Sequence, residues 1–140
     1  MQALIINAIN SLEDNGYVAP YVCVFGRNPF EAAFIPIHNS TVLPRDQIEP
    51  LIGRALLHAS AIDIPPYMVK LYNLDRAEWQ SRGVLLSMAN EPIDLALAAD
   101  ATVEFIQVDM EGRYVFSVSE RFALRIKDAN AIVPLMFEFL

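Results

Sequence analysis

Hydrophobic and polar positions follow two different periods along this chain. In residues 3–15 the apolar side chains recur every three or four positions, which is the spacing of an amphipathic helix. The apolar stripe consists of Leu4, Ile5, Ala8, Ile9 and Leu12, and Gly16 follows at a typical helix end. From residue 83 onward the segments are typical of strands. The pattern therefore predicts helices in the first half and mostly antiparallel sheet in the second.

The first half contains a short apolar segment followed by helix signals. Residues 21–25 (YVCVF) predict a buried strand. A short helix should come next, because Asn28 can cap its start and Pro29 suits its first position. Glu31 would complete a capping-box-like arrangement there. The order predicted for this region is helix, buried strand, helix.

A further helix is predicted over about residues 49–59. It should begin near Glu49, because Pro50 is tolerated only in the first turn. The apolar patterning then predicts one central sheet with this helix and the first helix beside it. That sheet should contain Tyr21–Phe25, Val84–Met88 and Asp94–Ala98, and the flanking helices should be residues 3–15 and 49–59.

The second half contains several strand patterns separated by turn signals. Met110, Glu111 and Gly112 suit a hairpin connection, since Gly112 is free to take a positive φ. The predicted fold class is α/β (α+β), in a single domain of residues 1–140 with a long C-terminal antiparallel hairpin. The strand segments are 67–73, 83–89, 94–99, 102–108 and 114–127.

The last strand, residues 114–127, has a carboxylate within its apolar row. Glu120 lies on the same face as Phe116, Val118, Phe122, Leu124 and Ile126. A buried and unpaired carboxylate costs several kcal/mol. Two solutions are open. Either the strand lies at an edge where Glu120 reaches water, or an arginine pairs with it, from Arg113, Arg125 or a neighbouring subunit.

Composition and charge exclude several functions. The 140 residues are 54% hydrophobic, which suits a folded domain, and the net charge is −7. The ten basic residues are scattered, so no nucleic-acid partner is expected. One cysteine, no signal peptide at the start and no apolar run of membrane-spanning length together predict a soluble, cytoplasmic chain without a membrane partner.

Catalytic and ligand-binding motifs are not found in the sequence. His38 and His58 have no metal-ligand spacing with each other or with Cys23. Cys23 lies within an apolar strand and is predicted to be buried and unreactive. The five glycines form no phosphate-binding loop. We therefore predict no enzyme activity, no cofactor, no metal site and no catalytic residue.

The order of several weak motifs resembles the encapsulins, the nanocompartment shell proteins with the tailed-phage capsid fold. Near the start, a helix ending in Gly16 leads through Pro20 and Tyr21 into an apolar strand. Residues 84–135 resemble the family's C-terminal segment. The matching positions there are Val84–Ser87, Asp94-Leu95, Asp100, Glu120–Phe122 and Ala131–Leu135. Two departures are Ala98-Ala99 in place of a Gly-Gln turn and Asp128–Asn130 in place of a Pro-Glu step.

The resemblance implies a capsid-like A-domain that associates with copies of itself. The elements that precede this domain in full-length encapsulins have no counterpart here, so the chain resembles truncated, A-domain-only members. In that reading the partners are other copies of the chain, with a cargo or neighbouring enzyme as a further partner. The alternatives are a small acidic adaptor or chaperone that binds a partner protein as a dimer, and a small enzyme whose site is assembled from dispersed residues.

The C-terminal segment is the candidate subunit contact. Residues 120–140 should either fold back on their own domain or form the main contact, and the contact is the favoured hypothesis. Residues 113–140 would then be an extended assembly arm, and removing 128–140 should lower the native mass and leave the core folded. The candidate contact residues are Glu120, Phe122, Leu124, Ile126, Leu135, Phe137 and Phe139.

Overall fold

The chain forms two compact units. The computed structural model describes residues 1–37, 40–63 and 81–137. The first unit comprises Met1–Pro92 and the chain from Ala129 onward, and the second is Ile93–Asp128. Among the described residues, three α-helices accompany a four-stranded mixed sheet in the first unit, and the second is a two-stranded antiparallel hairpin. The predicted α+β class is confirmed.

Helix α1 spans Gln2–Asp14 and matches its sequence pattern. Ile5, Ala8 and Leu12 on its apolar stripe are buried. The helix ends where Gly16 takes a φ of 85°, which a residue with a side chain adopts only with strain. The backbone N–H of Tyr17 donates to the Leu12 carbonyl oxygen at 2.8 Å and closes this end.

Helix α2 spans Arg27–Ala33, and its start is capped differently from the prediction. Its N-cap is Gly26 and not Asn28. The backbone N–H of Arg27 donates to the Asp63 carboxylate at 3.2 Å. The predicted capping box does not form, because Glu31 pairs with the Arg27 side chain at 2.9 Å. A carboxylate 36 residues away satisfies the helix start, and local sequence patterns carry no signal for such a partner.

Helix α3 spans Pro44–Ile52, several residues earlier than predicted. It begins at Pro44, whose missing N–H costs nothing at a helix start. It ends at Gly53, which adopts the left-handed conformation with a φ of 69°. Pro50 therefore lies inside the helix and not in its first turn. Ile48 and Ile52 are buried, and they hold the helix against the core although a ladder hydrogen bond is missing.

The four-stranded sheet has the order β2-β1-β3-β6. β1 is Tyr21–Phe25, β2 is Leu57–His58 and β3 is Arg82–Ser87. β6 is Ile132–Met136 and pairs antiparallel with β3. Two of the three strands predicted for this sheet, β1 and β3, pair in it as expected. The prediction that Asp94–Ala98 joins this sheet is wrong, because the tail strand β6 occupies the place beside β3.

The core of the first unit lies on one face of this sheet. Helix α1 contributes Ile5 and Leu12, and α3 contributes Ile48 and Ile52. The predicted strand at residues 67–73 lies outside the described residues. None of the helices in the described part of the chain is long and apolar enough to cross a membrane. The sheet residues in the core are Tyr21, Cys23, Phe25, Leu85 and Leu135.

The second unit is a hairpin of two long strands. β4 spans Ile93–Val108, and β5 spans Tyr114–Ile126. The two strands predicted at 94–99 and 102–108 are one strand with register irregularities. In the connecting turn Asp109 Oδ1 accepts the backbone N–H groups of Glu111 and Arg113 at 2.9 and 2.8 Å. Gly112 has a φ of 79°, which confirms the predicted turn.

Cys23 is expected to resist thiol reagents in the folded chain. Its side chain is fully buried, and that burial raises the pKa of the thiol to about 12. Because the thiolate is the reactive form, native labelling near pH 8 should be at least about 100-fold slower than labelling of the unfolded chain. A time course with a chromogenic disulfide reagent, with and without denaturant, measures both rates. Fast stoichiometric labelling without denaturant would contradict the burial.

Candidate self-association surface

One face of the hairpin carries most of its large apolar side chains. Residues opposite each other in an antiparallel pair share a face. Leu95 lies opposite Leu124, and Val103 lies opposite Val118. We call this surface the apolar face. Its half near the open end of the hairpin, the base patch, comprises Ile93, Leu95, Leu97, Phe122, Leu124 and Ile126. Its half near the turn, the tip patch, comprises Val103, Phe105, Val108, Tyr114, Phe116 and Val118.

The apolar face is open to solvent. Phe122, Leu124 and Val118 are 60%, 66% and 69% exposed. Except for Ile93, every member of both patches is at least half exposed. If each side chain exposes roughly 100 Å², the two patches together expose something on the order of 1,000 Å². The largest apolar patch of a typical monomer measures about 300–600 Å². A face of this size is typical of a surface that binds another molecule.

The opposite face of the hairpin is polar and internally paired. At the base, the Arg125 guanidinium donates to both Asp94 carboxylate oxygens at 2.6 and 2.9 Å. Lys127 Nζ lies 2.9 Å from the same carboxylate. Hydrogen bonds from Arg125 and then Lys127 hold the pKa of Asp94 well below its usual range. Further along, the Thr102 and Ser119 hydroxyls lie 3.1 Å apart. These polar side chains are stable in contact with water, so the apolar face is the one that needs a partner.

A polar waist separates the two patches. It lies between Leu97 and Thr102 on β4 and between Ser119 and Phe122 on β5. On β4 the waist consists of residues 98–101, three alanines and an aspartate. On β5 it contains Glu120 and Arg121, both exposed. We call these six residues the waist.

Two register shifts fall within the waist. One lies between Leu97 and Ala99, and the next lies between Ala99 and Thr102, whereas the third shift of the hairpin lies between Phe105 and Gln107 in the tip patch. Extra residues on one strand of an antiparallel pair bend the ribbon and increase its local twist. The waist therefore interrupts the apolar face in two ways, since it lacks large apolar side chains and the pairing of its two strands is irregular.

Glu120 reaches water in this structure. Its side chain is exposed, and within the described ranges no cation pairs with it. The two arginines proposed from the sequence have other partners, because Arg113 pairs with Asp109 and Arg125 pairs with Asp94. Of the two solutions left open by the sequence, the chain by itself adopts the first. An arginine from a neighbouring subunit stays a prediction.

The prediction that the tail residues form the subunit contact is wrong for Leu135 and Phe137. Leu135 and Phe137 are 1% and 9% exposed and belong to the core of the first unit. The Phe137 ring packs edge-on against Phe25, with centroids 5.0 Å apart. Neither side chain is available for a subunit contact, so β6 is the part of the segment that folds back. Phe139 lies outside the described residues.

Half of the apolar face was not predicted from the sequence. The side chains of β4 on this face, including Leu95, Leu97, Val103 and Phe105, were assigned to the central sheet or left without a role. The alternation of apolar residues in 94–108 was the available signal. Such alternation indicates that one face of the strand packs against its own domain or binds another molecule. It does not indicate which strand pairs with it.

Besides the apolar face, candidate sites are clusters of metal-ligating side chains and pockets of the first unit. No group of three His, Cys, Asp or Glu side chains within residues 1–37, 40–63 and 81–137 could hold a metal ion. An open groove in the first unit is lined by Arg27, Phe30, Glu31, His58, Ser60 and Asp63. Its charged groups are already engaged, because Arg27 pairs with Glu31 and Asp63 caps helix α2. The His58 ring packs against the Phe30 ring in a tilted arrangement, with centroids 5.1 Å apart.

Comparison with known proteins gives a structural likeness and no sequence match. No family model matches the chain, and no curated protein matches it. A crystal structure of a virus-like particle from Pyrococcus furiosus is similar, with a TM-score of 0.66 and 15% sequence identity over 94% of this chain. The chain spans about half of that protein, 48% of its length. At this identity the likeness shows the fold alone, so the chain shares a fold with that particle protein.

Proposed function

We propose that this protein is a non-enzymatic structural protein that assembles with copies of itself through the apolar face of its hairpin. The observation that carries the proposal is the exposure of that face on a two-stranded unit. A hairpin of only two strands is marginally stable in water, and it needs a third strand, a helix or a packed face to become stable. Copies of the same chain would supply that packing.

The capsid-like fold supports the same proposal. The similar solved structure is a virus-like particle, and a shell requires each subunit to present surfaces to its neighbours. The finer hypothesis is that the chain is a truncated, A-domain-only relative of the encapsulins, located in the cytoplasm. A cargo or a neighbouring enzyme would be a further partner. The contact residues of this proposal are Glu120, Phe122, Leu124 and Ile126 with their partners on β4.

The native mass tests the proposal directly. We expect multi-angle light scattering and sedimentation velocity to give a mass above two chains at micromolar concentration, falling on dilution. Burial of the apolar face by a neighbour is the physical reason. A chain that is monomeric at every concentration would contradict self-assembly. A strict dimer would favour the adaptor or chaperone instead.

A further inference from the structure

Glu120 stands at the centre of the apolar face, between two patches of similar size. The base patch and the tip patch contribute six side chains each, and the waist between them carries the one charged side chain in the Tyr114–Ile126 apolar row. Every neighbour that covers the whole face must also cover Glu120. A partner must therefore either pair with this carboxylate or leave the waist uncovered.

A second copy cannot cover the whole face without bringing two carboxylates together. If two apolar faces met in full overlap, the waist of one copy would lie on the waist of the other, whether the hairpins ran parallel or antiparallel. Two like charges in a site from which water is excluded repel strongly. The Arg121 side chain does not neutralise this repulsion. Successive side chains of a strand point to opposite faces, so Arg121, which pairs with Ala99, lies on the polar face.

The waist also offers little packing that could offset the repulsion between the two carboxylates. Both register shifts around Ala99 bend and twist the ribbon. The alanines at 98, 99 and 101 also offer little apolar surface between the patches.

We propose that the waist makes the hairpin bivalent, so that the base patch and the tip patch each contact a different neighbouring copy of this chain. This inference rests on the proposed function. It specifies that each partner is another copy of the chain and that one copy covers only one patch. Each patch exposes something on the order of 500 Å², which is at the low end for a specific interface. Two weak contacts per chain extend an assembly beyond a dimer, whereas one full-face contact would end at two copies.

The isosteric substitution Glu120→Gln tests this inference. It removes the charge, and two facing amides can hydrogen-bond to each other. We expect wild-type chains to form assemblies above two copies and the Glu120→Gln chains to shift toward a dimer, because the two facing Glu120 carboxylates no longer repel each other. The control is Glu104→Gln, which removes the same charge from the polar face opposite Ser117 and should keep the wild-type mass.

The outcomes separate the inference from the proposed function. If wild-type and Glu120→Gln chains form the same large assembly, the waist does not divide the face, and self-assembly still stands. If the wild-type chain is a dimer, the inference is wrong. If the wild-type chain is monomeric, both proposals are wrong. Protection of Cys23 from thiol reagents serves in each case to show that the first unit of the variant is folded.

Discussion

Replacing Leu135 by alanine is expected to lower the free energy of unfolding of the first unit by about 2–5 kcal/mol, the usual range for a leucine removed from a core. Leu135 is 1% exposed, and it lies on β6 opposite Gly83 of β3. The neighbouring Met136 is 58% exposed. The matched variant Met136→Ala should therefore cost less than about 1 kcal/mol. Denaturant unfolding followed by circular dichroism measures both.

Removing residues 128–140 should have a still larger effect. The deletion removes the whole of β6, which pairs with β3 over five positions from Arg82 to Leu86. It also removes Leu135 and Phe137 from the core and leaves the Phe25 ring without its edge-on partner. We expect the truncated chain to lose the first unit's fold and to expose Cys23 to fast labelling. This corrects the expectation from sequence that the core survives without the tail. A truncated chain with a protected Cys23 would show that β6 is dispensable.

The sequence predicted elements well wherever local periodicity decided them. Helix α1 and strand β1 were placed correctly because their apolar stripes and the glycine at position 16 are local signals. The prediction failed where a distant partner decides. The start of helix α2 is capped by the distant Asp63. Helix α3 begins at Pro44 and ends at Gly53, so Leu57, which was predicted to be helical, lies in strand β2.

The candidate contact could be predicted only in part, for the same reason. Alternation along Tyr114–Ile126 marked one apolar row and the charge within it. It did not show that Ile93–Val108 pairs along that row and doubles the apolar surface. Nor did the apolar composition of the tail show that β6 occupies the place beside β3. An apolar segment needs cover, and its sequence does not say whether its own unit or a neighbour supplies it.

The double substitution of Phe122 and Leu124 by aspartate should dissociate the assembly. Both side chains are more than half exposed in the isolated chain, so the first unit should stay folded. In a packed contact, each aspartate would be a buried and unpaired charge that costs several kcal/mol. Since 1.4 kcal/mol corresponds to a factor of ten, we expect the dissociation constant to rise at least about 1,000-fold. Sedimentation velocity over a dilution series measures the change.

A control with the same added charge distinguishes lost packing from general repulsion. Ser119→Asp with Ala123→Asp places two aspartates on the polar face of the same strand, where Ala123 lies opposite Ala96. That chain also becomes more negative by two charges, but its apolar face is unchanged, so it should keep the wild-type assembly. If both double variants dissociate equally, net charge and not the apolar face controls association. If neither dissociates, the copies meet through another surface, and the apolar face serves a different partner.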